Sequence, residues 1–146
     1  MKIEFTKKQY EILLRLVYLG NWVVNGFRTD DVDEEAYKLE DYLCGKARSL
    51  GLDKYVDYDE DLDEWFFTAE AEEEWDPALE AYKNDVFWDE LEYRLADRDL
   101  AVRFGEDYFE KVKPEELDRL EQEIVNGYYE EFVKNGLKNV MLVRPN

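Results

Sequence analysis

The chain has no histidine. That excludes Ser-His-Asp and Cys-His nucleophiles, His-ligated zinc and an imidazole pH sensor. Cys44 is its one cysteine, so no internal disulfide can form, which fits a reducing, cytoplasmic setting. Positive charge is scarce: 19 Lys and Arg stand against 38 Asp and Glu, leaving a net charge of -19. Direct nucleic-acid binding needs cations against phosphate and is not expected of such a chain. A membrane span needs about 20 apolar residues. The longest apolar stretch, Tyr10–Val24, is shorter and is interrupted by Glu11, Arg15, Gly20 and Asn21. Met1–Lys8 lacks the apolar core of a signal peptide. There is no internal repeat, no Ser/Pro/Gly-rich linker, no phosphate loop and no dinucleotide fingerprint.

What remains is acidic and rich in rings. Apolar residues make up 45% of 146, and the aromatics are 11 Tyr, 8 Phe and 4 Trp. Disordered acidic chains are poor in rings, because ring burial is what offsets chain entropy. The composition therefore predicts a folded domain with a strongly negative surface, spanning residues 1–146 as one unit.

The patterning is mainly helical. Tyr10–Val24 has eleven apolar residues in fifteen. It predicts a helix from Lys7 to about Asn25, capped by Thr6 with Gln9 and buried on most of its circumference. Gly20 inside it marks either a close helix approach or a kink. Thr29–Asp33 supplies the next cap, for a helix over 32–50 that Gly51 ends. Cys44, beside Leu43, reads as a small core residue. Thr68 caps a short helix, Ala69–Trp75. Asp76-Pro77 then reads as a new start, and Asn84 or Asp85 as another, before a helix over 86–101. Pro114 opens the last helix, to about Lys134, and Asn135-Gly136 stops it. Tyr55–Asp57 is a short extended piece. Lys2–Phe5 and Val140–Val143 are candidates for a two-stranded β clasp of the termini. The expected fold is an all-α bundle of five or six helices, centred on the first helix and on 86–101 and 114–134.

Charge concentrates in Asp53–Asp76, where twelve acids face the single base Lys54. Within it, Asp59, Asp61, Asp63 and Glu70 fall at positions one, three, five and twelve of a calcium-binding EF-hand loop. Glu64 stands where that loop needs glycine, and Phe67 offers no ligand at position nine. A Ca2+ site, or a carboxylate-dependent hydrolase, is thus the secondary expectation. The primary one rests on rings set among acids. Trp65 and Trp75, with Asp59, Asp61, Asp63, Glu72 and Glu73, suit a surface that binds a basic protein: rings give affinity and carboxylates steer the encounter. Phe66 and Phe67 are assigned to the core. A DNA-mimicking inhibitor and an immunity-type neutraliser of a cationic toxin are the specific versions of that expectation.

Overall fold

A computed structural model describes residues 3–141. It is mainly helical, with five α-helices and one two-stranded antiparallel sheet: α1 (Lys7–Asn25), α2 (Glu34–Ala47), β1 (Val56–Asp59), β2 (Glu64–Phe67), α3 (Ala69–Phe104), α4 (Tyr108–Lys111) and α5 (Pro114–Asn135). Contacts divide the chain into two compact units, Met1–Glu80 and Ala81–Asn146. The three helices expected at one centre are distributed over both, with α1 in the first unit and α5 in the second.

The caps form where local chemistry places them. Thr6 accepts from the Gln9 backbone N–H while the Gln9 side chain returns to the Thr6 backbone, a complete capping box. Asp33 accepts from the N–H groups of Glu35 and Ala36 at the start of α2. A 3-10 turn, Arg48–Leu50, extends α2 to Gly51, which is left-handed at φ 68°. Pro114 occupies the first turn of α5, and Glu115 and Glu116 lie at its positive end.

In the first unit, α1, α2, the hairpin and the opening turns of α3 enclose a core that includes Tyr10, Leu14, Tyr18, Cys44, Tyr55, Phe67 and Trp75. Trp75 is its aromatic centre, with ring centroids of Tyr18, Tyr55 and Phe67 at 5.6, 5.1 and 5.2 Å. Edge-on and tilted ring pairs of this kind add to the burial of their apolar area. The Tyr10 hydroxyl donates to the Leu43 carbonyl at 2.8 Å and ties α1 to α2.

Four expectations need correction. First, α1 is not buried around most of its circumference. Tyr10, Leu14 and Tyr18, spaced four apart, face the core, whereas Ile12, Leu16, Trp22 and Val23 are exposed. Gly20 has no neighbour close enough to explain it as a helix contact. Second, neither Asp76-Pro77 nor Asn84 or Asp85 starts a helix. Ala69–Phe104 is continuous, with Pro77 inside it. Proline cannot donate to the Glu73 carbonyl and costs about 3 kcal/mol in a helix interior. Burial of Trp75 and Leu79 on either side holds the helix through it, and Asp76 serves Tyr18 instead of capping. Third, the acidic stretch contains a hairpin. β1 pairs with β2 from Val56↔Phe67 to Asp59↔Glu64. Asp59 Oδ1 accepts from the N–H groups of Asp61 and Leu62, and Asp63 takes the left-handed position at φ 59°. Fourth, Ile3–Phe5 and Val140–Met141 are not strand; the remainder of the clasp, Lys2 and 142–143, lies outside the described residues.

The second unit holds Ala96, Leu100, Leu120, Val125 and Phe132 in its interior. Phe132 stands 5.4 Å from the Trp88 ring and 5.8 Å from that of Tyr128. The Tyr128 hydroxyl donates to Asp99 at 2.5 Å, and Arg98 reaches both.

Candidate functional site

Two cavities of the first unit share Tyr37, Glu40 and Phe66. The smaller, about 280 Å³, is also lined by Trp22, Asn21 and Glu72. The larger, about 510 Å³, adds Glu34, Lys38, Asp41, Glu64 and Trp65. Together they form a cleft bounded by α1, α2, β2 and the start of α3.

A chain of amides sets its floor. Buried Asn25, at the end of α1, accepts the Asp33 N–H at 2.7 Å and donates to the Asp33 carbonyl at 3.2 Å. It also donates to Asn21 Oδ1, and Asn21 in turn donates to Glu40 Oε2, both at 2.7 Å. Both amides in this run are paired through oxygen and nitrogen, as a half-buried network requires, and only Oε2 of the carboxylate at its end is engaged. The turn between α1 and α2 thereby fixes the position of one carboxylate.

That carboxylate is the electrostatic focus. Burial raises the Glu40 pKa above the ordinary carboxylate value, and the neighbouring charge of Glu72 adds to the rise; the Asn21 bond opposes it. Around it the rings stand half in water: Trp22 is 46% exposed, Tyr37 47% and Phe66 43%. Strand alternation puts Phe67 inward and Phe66 outward, so only Phe67 is the core residue expected of the pair.

Two glycines admit the indoles. A Cβ on Gly45 would meet Trp65 at 3.1 Å, and one on Gly26 would lie 2.5 Å from the Trp22 ring. The Trp65 backbone N–H donates to the Asp41 carboxylate at 2.8 Å, fastening β2 to α2. The Arg48 guanidinium lies 5.5 Å from the Trp65 ring. Among the described residues Lys38 is the one base lining either cavity, and its ammonium is shared by Glu35 at 2.8 Å and Glu34 at 3.4 Å.

Of the sequence candidates, Trp65 and Glu72 line this cleft. Trp75 does not; at 2% exposure it is a core residue and has no surface to offer a partner. Asp59, Asp61 and Asp63 sit at the hairpin tip and line neither cavity, and the carboxylates of Asp59 and Asp63 are used locally. Asp59 closes the turn, and Asp63 accepts the Tyr58 hydroxyl. Glu73 is exposed on α3. Glu70 lies 3.7 Å from the Lys54 ammonium. Among the described residues no three Asp, Glu, Cys or His side chains group as a metal site needs. Trp22, Tyr37 and Glu40 carry no local signal; only folding collects them. Cys44 is fully buried, and burial, with Glu40 and Asp41 nearby, pushes its thiol pKa up, the reverse of an activated thiolate.

In comparisons with known proteins the chain matches no family model, no curated sequence and no solved structure. No helix among the described residues is long and apolar enough to cross a membrane.

Proposed function

We propose that this is an acidic protein-binding domain whose first unit receives a basic protein partner in the cleft between α2, β2 and the end of α1. One observation carries the reading: half-exposed rings stand beside carboxylates, and the one base among the described lining residues is already paired. Rings that stay partly wet gain from being covered, and the surrounding carboxylates select a positively charged cover. The net charge of -19 steers such a partner from a distance. Of the specific versions, an immunity-type neutraliser suits a cleft better than a DNA mimic does. A cleft selects inserted side chains, whereas a mimic needs only a row of charges.

The test is calorimetric titration with a lysine- and arginine-rich peptide and an acidic peptide of equal length, at about 0.05 M and about 0.5 M salt. The reading expects binding of the basic peptide alone, weakened at least about tenfold by the higher salt. No binding of the basic peptide, or binding indifferent to salt, contradicts it.

A further inference from the structure

We infer that the smaller cavity is a cage for one arginine head: a guanidinium on the partner enters between Trp22, Tyr37 and Phe66, with Glu40 as its counter-ion and Glu72 beside it. The inference rests on the basic-partner reading above and names what anchors it.

The cavity's size and lining both fit this occupant. At about 280 Å³ it holds far more than a single water, whose share of liquid volume is about 30 Å³. Each of the three rings leaves close to half its surface uncovered. The face of an aromatic ring attracts a cation, and the attraction grows as water is excluded. Glu40 supplies the charge. Among the described residues only Asn21 donates to it, through Oε2, so Oε1 is open to a second donor.

The protein's own nearby bases do not fill this role. Lys38 is held by Glu34 and Glu35. Arg28, just past α1, is bound to the Asp31 carboxylate at 3.0 Å and to the Val24 carbonyl at 2.8 Å. Arginine is favoured over lysine on chemical grounds. Its planar head is weakly hydrated and stacks on rings, and its fork of N–H donors can reach two carboxylates, where an ammonium is a compact, strongly hydrated point charge.

The experiment titrates N-acetylarginine amide into the 15N-labelled protein, with the citrulline and lysine amides as controls. Citrulline keeps the planar shape and loses the charge. The arginine probe should shift the Trp22 indole and Asn21 side-chain amide signals saturably. Citrulline should bind at least about tenfold more weakly, and lysine several-fold more weakly. Glu40→Gln should reduce arginine binding about tenfold while its spectrum remains dispersed. Phe66→Ala, an exposed position, should do the same without touching charge. Equal binding of arginine and citrulline, an unmoved Trp22 indole, or an unaffected Glu40→Gln variant overturns the cage. If a basic peptide binds and shifts the cleft signals of Asp41 and Trp65 while the arginine amide leaves the Trp22 indole unmoved, the cage fails and the basic-partner reading stands. If it shifts only the hairpin acids, which line neither cavity, both fail. If no basic peptide binds, both fail.

Discussion

The Tyr18 hydroxyl donates to the Asp76 carboxylate at 2.5 Å, joining the middle of α1 to the residue before the proline of α3. Burial first, and then this bond, raises the Tyr18 pKa above its usual value. Both residues belong to the first unit, and Tyr18 also packs on Trp75 and Phe67. The bond helps account for a helix that passes through Pro77 without stopping. Tyr18→Phe keeps the ring and removes the donor. A hydrogen bond to a charged group is worth about 1.5–3 kcal/mol, so urea denaturation should show a loss of that order with an unchanged m-value.

Two leucines on α1 separate its faces. Leu14 is fully buried and Leu16 is 58% exposed. Leu14→Ala should cost about 2–5 kcal/mol. Leu16→Ala should stay within about 0.5 kcal/mol. Equal costs, read from the same urea curves, would contradict the one-sided burial of α1.

Caps and stops were legible because their chemistry is local. Thr6 with Gln9, Asp33, Gly51 and Pro114 each act within a few residues of themselves. Asp76-Pro77 carried equally good start signals and misled, because tertiary contacts decide there: Tyr18 claims the carboxylate, and Trp75 is buried. The hairpin was half legible. Val56 and Asp57 alternate inward and outward, as do Phe67 and Phe66, but the acids around them resemble a solvated loop until the strands pair. The cleft was barely legible. Of its residues only Trp65 and Glu72 are partner-binding candidates by sequence, since positions 22, 37, 40 and 66 meet only through folding. Trp75 is a surface candidate by sequence yet a core residue in the fold, because a tryptophan among glutamates looks the same in sequence whether its helix turns it in or out.

Glu40 should couple stability to pH. Burial, with the charge of Glu72, raises its folded pKa above the unfolded value. The folded state therefore binds the Glu40 proton more tightly than the unfolded state does. Its favourable contribution is complete below the unfolded pKa, about 4.3, and is lost as pH rises through the higher folded value. Glu40→Gln should consequently melt higher than the parent at pH 7 and lose that advantage toward about pH 4. Thermal denaturation at both pH values reads the sign. The variant would thus be more stable and yet weaker in binding, which separates the two roles of this side chain.

The most direct test is the ionisation of Glu40 itself, followed by the 13C chemical shift of its carboxyl carbon with and without saturating N-acetylarginine amide. A cation bound beside a carboxylate favours the charged form and lowers its pKa. The account predicts a free-protein pKa above the ordinary glutamate value, brought down by arginine and left in place by citrulline. A Glu40 pKa that arginine does not move would contradict the cation-binding cleft.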